Sequence, residues 1–127
     1  MVKGYFMHRF IKGTLLVSTL FSILHGADIE NGKKVYYSNC SQCHSVHMTG
    51  GLGRDFNLVS YTRRKKDVIA YVSDPGRMYR RFGYSANAMP TLRLTGKEIE
   101  DVAEYIDSLQ PFKKWMVKKS PQVGKND

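Results

Sequence analysis

Five consecutive residues, Cys40-Ser41-Gln42-Cys43-His44, constrain this chain more than any other stretch. A C-x-x-C-H run is the arrangement that ties a haem covalently to a polypeptide. Each thiol forms a thioether with one vinyl group of the porphyrin, and the histidine that follows offers a ring nitrogen to the iron. Both sulfurs and the imidazole must therefore sit on one face of a short helical stretch. The only two cysteines of the chain lie inside the motif. With one histidine they fall one ligand short of a structural zinc site. The chain also lacks the βαβ pattern expected around a thioredoxin-like C-x-x-C. The expectation is one covalently attached haem c with its iron, bound through Cys40, Cys43 and His44.

The first 27 residues differ from the rest. Lys3, Arg9 and Lys12 form a basic start with no acidic residue before Asp28. An apolar run of 11 residues, Thr14 to Leu24, follows and ends on the small pair Gly26-Ala27. Basic, apolar, then small is the order of a secretory signal peptide. A spanning helix needs roughly 20 residues, so the short run favours a signal peptide over the alternative of an uncleaved anchor on the outer face of the cytoplasmic membrane. Cleavage after Ala27 places His25 three residues before the cut, and cleavage after Gly26 places Leu24 there. The reading is export to the periplasm. The remaining 100 residues, 28–127, hold 17 Lys and Arg against 11 Asp and Glu, net +6. A chain of that size buries only a modest core, to which a large apolar cofactor adds.

The exported part reads as all-α, with no sustained period-two alternation and no internal repeat. Asp28 caps a helix running through Ile29, Gly32, Val35 and Tyr36 toward Cys40, with those residues on one face. Gly32 is a poor helix former, so its use there is to let another helix approach closely. Thr49-Gly50-Gly51-Leu52-Gly53 is loop, without the Lys-Ser/Thr of a phosphate cradle. Arg63-Arg64-Lys65-Lys66 opens a short helix through Val68, Ile69 and Val72, which Asp74-Pro75-Gly76 stops. Arg77 to Asn87 reads as an ordered loop laid against something apolar. Thr95-Gly96-Lys97-Glu98 is a capping box, and Ile99, Val102, Ala103, Ile106 and Leu109 form the stripe of the helix it opens. Pro111 ends that helix. The basic tail, 112–127, is expected to fray. Domain bounds are thus a signal segment (1–27), a haem domain (28–111) and the tail.

An iron held by His44 has a second axial position. His47 and Met48 lie on the same side as His44, and Met116 sits in the lysine tail, where a thioether is hard to hold. Met89 precedes Pro90, which keeps it out of helical geometry and projects its side chain from a restrained segment. Met89 is therefore preferred, with Met78 as the alternative. A His/Met pair suits one-electron transfer at relatively high potential and leaves no site for oxygen or peroxide.

These residues together resemble the small class I cytochromes c of bacterial electron transport, over most of residues 28–110. In that family a glycine and an aromatic precede the first cysteine by eight and four residues, matched here by Gly32 and Tyr36. The resemblance implies that these pack on Val102 and Tyr105 of the C-terminal helix, with the two terminal helices crossing beside the haem. It also implies that Met89-Pro90 is the methionine-ligand motif. One departure stands out: the family's Gly-Pro after the haem histidine matches Gly53-Arg54. The proline carbonyl that accepts the histidine's outer N–H becomes that of Arg54, whose side chain is also a candidate for a haem propionate.

Function follows as a monohaem carrier of single electrons between redox protein partners, and not an enzyme. The basic groups at 63–66, at 77, 80 and 81, and at the C-terminus suit acidic docking surfaces. Export and the lack of a binding motif argue against nucleic acid. Membrane contact is then only through partners or an uncleaved N-terminus. The alternatives are a c-haem subunit of a larger oxidoreductase, such as a sulfur-compound dehydrogenase, and a haem enzyme or gas sensor with an open sixth site.

Overall fold

A computed structural model describes residues 26–117. The expected signal segment, apart from its last two residues, and the tail beyond 117 lie outside the described residues. Five α-helices follow in order: α1 (Ile29–Asn39), α2 (Phe56–Thr62), α3 (Lys65–Ser73), α4 (Pro75–Met78) and α5 (Gly96–Ser108), then a 3-10 turn at Lys114–Met116. There is no strand among the described residues, in agreement with the all-α reading. Nor is any helix among them long and apolar enough to cross a membrane.

The first and last of these helices build the frame. Asp28 caps α1, its carboxylate accepting from the N–H groups of Glu30 and Asn31 at 2.9 and 3.1 Å. Thr95 and Glu98 cap α5 reciprocally, Thr95 N–H donating to Glu98 at 2.7 Å and Glu98 N–H to Thr95 Oγ1 at 3.2 Å. The apolar stripe of α5 turns inward, with Val102, Ala103 and Ile106 at most 1 % exposed. The α1–α5 pair is the most extensive helix contact, and at Gly32 the two backbones approach closely. A Cβ there would strike the Asp101 carbonyl and lie 2.9 Å from Tyr105 Cβ. The Tyr36 and Tyr105 rings pack at 5.6 Å on the same seam. Asp101, in the second turn of α5, accepts from Asp28 N–H and Asn31 Nδ2, each at 2.7 Å, so α5 also holds the start of α1.

Three expectations need correction. The sequence pattern contains no counterpart of α2, whose seven residues carry too few turns for a legible stripe; Asp55 caps it, accepting from Asn57 N–H at 2.8 Å. The Asp74-Pro75-Gly76 stop also starts a helix. Asp74 accepts from Arg77 N–H at 3.0 Å, and Pro75 occupies the first turn, where its missing N–H costs nothing. The 77–87 segment thus begins with the last two residues of α4. Phe82 and Tyr84 then pack edge-on to Tyr71 of α3 at 5.2 and 5.5 Å, the apolar surface expected beneath that segment.

The third correction concerns the tail, whose first residues are held. Lys113 is 6 % exposed, and its ammonium donates to Ser60 Oγ at 3.0 Å and to the Asp107 carbonyl at 2.6 Å. Trp115 lies under the Arg64 guanidinium at 5.6 Å. A buried ammonium that finds acceptors from two helices anchors a chain end that composition alone marks as solvated.

Candidate functional site

The helix α1 delivers the C-x-x-C-H motif. The Cys40 N–H closes the last turn onto the Tyr36 carbonyl at 2.8 Å, and the N–H groups of Cys43 and His44 both bond back to the Cys40 carbonyl, at 3.1 and 2.9 Å. These bonds wind 40–44 into the short helical turn that the motif demands. Cys40 is buried and Cys43 exposed. Burial, and then the neighbouring Cys43, push the Cys40 thiol up to about 11, so its sulfur is uncharged in an apolar wall.

Three contacts set the His44 ring. Its Nδ1 lies 2.7 Å from the Arg54 carbonyl. A carbonyl only accepts, so Nδ1 carries the proton and Nε2 presents its lone pair, the tautomer a metal ligand needs. Phe56, the first residue of α2, stacks on the ring at 4.5 Å and 25°. Gly53 closes the third side, where a Cβ would lie 2.6 and 2.7 Å from the two ring nitrogens. The His44 carbonyl is held as well, accepting from the Tyr36 hydroxyl at 2.9 Å.

The loop from 45 to 55 is pinned by Asp55, which is 8 % exposed. Its carboxylate accepts from Met48 N–H at 2.9 Å while capping α2. Burial raises its pKa, but hydrogen bonds from Asn57, Met48 and Ser45 outweigh that and hold the carboxyl below its ordinary value. Met48 takes a positive φ of 56° in this turn. Asp55 and Phe56 join Gly53 in a support of His44, and sequence reasoning gave neither of those two a role. The legible signal was a glycine followed two residues later by a helix-capping aspartate.

A cavity of about 440 Å³ opens beside this support, within the range of cofactor clefts, roughly 300–1,000 Å³. Cys40, Cys43, His44 and Met89 all line it. Its walls are largely apolar and aromatic, including Val59, Val68, Tyr71, Phe82, Val102 and Ile106. Met89 is half-buried there, whereas Met78 is absent from the lining, and Met48 and Met116 are 60 % and 59 % exposed. The donor set fits a haem: two thiols and an imidazole on one helical turn, one thioether elsewhere on the wall, and apolar surface between. Among the described residues no three His, Cys, Asp or Glu side chains come together to hold a bare metal ion.

The basic run at 63–66 does not form one patch. Arg63 turns to the cavity wall and its guanidinium lies 4.8 Å from the Phe82 ring. Arg64 lies over Trp115, and Lys65 pairs with Glu104 at 2.7 Å. Lys66, Arg77, Arg80 and Arg81 are exposed.

An all-helical chain that wraps a haem-attachment turn and a methionine around one apolar cavity is a c-type haem protein in its architecture. Comparison with known proteins gives the family. Residues 29–110 match the family model described as cytochrome c. The cytochrome c6 of Thermostichus vulcanus is 32 % identical over 108 residues, covering 77 % of this chain and 88 % of the relative. That of Thermosynechococcus vestitus is 35 % identical over 98 residues, covering 72 % and 79 %. That of Porphyra purpurea is 33 % identical over 97 residues, covering 73 % and 81 %. No solved structure matches at a significant level. The chain belongs to the cytochrome c family. It is a small monohaem class I c-type cytochrome, an electron carrier and not an enzyme, with one covalently bound haem c and its iron. Its partners are redox proteins.

Proposed function

We propose that this cytochrome carries single electrons between redox proteins outside the cytoplasmic membrane, with the haem joined through Cys40 and Cys43 and the iron held by His44 and Met89. The observation that carries the reading is the meeting of all four side chains on one cavity, with His44 Nδ1 already engaged by the Arg54 carbonyl. The haem supplies a one-electron ferric/ferrous couple. The protein supplies the rest. Arg54, Phe56 and Gly53 hold the imidazole so that Nε2 keeps one direction. The soft, neutral thioether of Met89 would serve as the second protein ligand to the iron and would disfavour the ferric charge. The buried apolar wall of Val68, Val102 and Ile106 would face a bound haem and limit the reorganisation that accompanies a change of charge.

The basic start, apolar run and small pair of residues 1–27 support export and cleavage near Ala27. Exposed Lys66, Arg77, Arg80 and Arg81 support docking on an acidic partner. The reading is tested by the optical spectra of the reduced and oxidised protein together with its denatured mass. Covalent haem, a sulfur-to-iron charge-transfer band in the oxidised form and the mass of the chain from residue 28 are expected. Loss of the haem on denaturation would remove the thioether assignment. The docking is tested by electron-transfer rates with an acidic partner, which should fall as salt rises; a salt-independent rate removes the steering.

A further inference from the structure

Four large apolar side chains crowd the end of the described chain: Phe112, Trp115, Met116 and Val117 are 74, 46, 59 and 64 % exposed. The other exposed large hydrophobics among the described residues, such as Tyr37 and Leu52, stand singly along the sequence. Single ones are ordinary on a protein surface, and a group of them marks a contact. The segment lies past residue 110, where the family match ends, so the haem domain does not account for it. Nor is it loose. Lys113 is buried on Ser60 and Asp107, and Lys114–Met116 form a 3-10 turn. Lys114, Trp115 and Val117 then line a shallow open recess with Tyr61 of α2. The anchored ammonium thus fixes the apolar side chains on the protein surface.

Charge narrows what covers them. The sequence between Asp107 and Asp127 holds five lysines and no acidic residue. Asp107 pairs with Lys113 at 3.1 Å, which leaves Lys114 exposed beside the apolar group and the Arg64 guanidinium over Trp115. Lys118 and Lys119 follow Val117 directly. Aromatic and aliphatic side chains with lysines on both flanks suit the headgroup region of an anionic bilayer. There tryptophan settles at the interface, apolar groups enter the acyl boundary and ammonium groups meet lipid phosphates. A stable protein interface takes about 20–30 residues a side, more than this segment offers, whereas a bilayer requires no matching shape. The recess also lies away from the haem cavity. Val59 and Arg63 line that cavity, and Tyr61, midway between them in α2, projects from the opposite side of the helix.

We infer that residues 112–119 bind the surface of a bilayer containing anionic phospholipid and hold the cytochrome there with its haem cavity free for redox partners. No helix among the described residues is long and apolar enough to cross a membrane, so the contact is interfacial and reversible. The inference is independent of how the iron is ligated.

The test is co-sedimentation of the haem-loaded protein with vesicles of equal parts phosphatidylcholine and phosphatidylglycerol, and with phosphatidylcholine alone. Wild type is expected to pellet with the anionic vesicles, less so as salt rises, and to stay in solution with the neutral ones. Lys114→Gln and Lys118→Gln should each weaken binding about fivefold, the effect of one lysine beside an anionic surface. Phe112→Ser and Trp115→Ser should each weaken it about tenfold, from the loss of an inserted apolar side chain. Tyr37→Ser, which removes an exposed aromatic on α1, should bind as wild type, and the double variant Arg77→Gln/Arg81→Gln within about twofold of it, since salt screens distant charges. All these proteins share one N-terminus, so any contribution of residues 1–27 cancels in the comparison. If Trp115→Ser loses the haem spectrum, Phe112→Ser decides, its side chain being the more exposed. Equal binding to both vesicles overturns the inference, as does wild-type affinity in Phe112→Ser and Lys114→Gln. A wild type that pellets with neither vesicle also overturns it and leaves the segment to a protein partner.

Discussion

Asn31 Nδ2 donates to the Asp101 carboxylate at 2.7 Å, joining the first turn of α1 to the second turn of α5 across 70 residues of chain. Asp101 is 1 % exposed, accepts from Asp28 N–H as well, and pairs with Lys97 one turn before it. Beside it Gly32 brings the two backbones into contact. The helix that ends in the haem-attachment turn is therefore oriented by α5, not by its own sequence alone.

Asp101→Asn is expected to destabilise the protein by about 1.5–3 kcal/mol, since it weakens bonds to an ionised, buried group. Burial raises the Asp101 pKa, yet Lys97, Asp28 N–H and Asn31 together hold it below its ordinary value of 3.8. A lowered folded-state pKa means that the contribution is fully present above that ordinary value and is lost as pH falls through the folded-state one. Urea unfolding against pH should thus show wild type and Asp101→Asn converging as pH falls below about 4.

Gly53→Ala places a methyl group against both ring nitrogens of His44. The imidazole must turn away from the Arg54 carbonyl, and overpacking of this kind costs about 1–3 kcal/mol. Lower haem retention and an altered histidine–iron vibration by Raman spectroscopy are the expected results. Gly96→Ala, whose added carbon meets nothing within 4 Å, should show neither.

Met89→Ala is expected to abolish the sulfur-to-iron band of the oxidised protein and to lower the midpoint potential, because the ferric charge loses a ligand that disfavours it. Met78→Ala, altering a residue off the cavity wall, should retain the band. Persistence of the band in Met89→Ala would end the assignment.

Lys113→Ala removes an ammonium bonded to Ser60 Oγ, the Asp107 carbonyl and, at 3.1 Å, the Asp107 carboxylate. Loss of these charge-assisted bonds should cost about 1–3 kcal/mol in urea unfolding with the haem spectrum unchanged. Lys114→Ala, at an exposed position next to it, should cost at most about 0.5 kcal/mol.

The parts of this protein written in short spacings were legible. Cys40, Cys43 and His44 name the cofactor, Asp28 and the Thr95/Glu98 box place two helix starts, and the stripe through Val102 and Ile106 marks the buried face. Gly32 signalled a close approach because a glycine in a helix interior costs stability unless something needs the space. Each of these signals acts within a few residues, where hydrogen-bond geometry and helical period leave few alternatives. The helix α2 was not legible, since seven residues give no periodicity and its support comes from Ser60 and Asn57 meeting Asp107 and Gln110, about 50 residues on.

By itself the sequence determined the cofactor and the helical class, because covalent attachment and helix capping are local chemistry. Tertiary structure decided which of several equivalent-looking groups serve. Of four adjacent basic residues it turned Arg63 to the cavity, set Arg64 over Trp115 and paired Lys65 with Glu104. Among the methionines it brought Met89 to the wall that carries His44. The physical reason is the same in each case: burial and pairing depend on what the fold places opposite a side chain, and the chain supplies those partners from tens of residues away. The C-x-x-C-H turn specifies a haem, and Gly53, Arg54 and Phe56 hold its histidine in position to serve it.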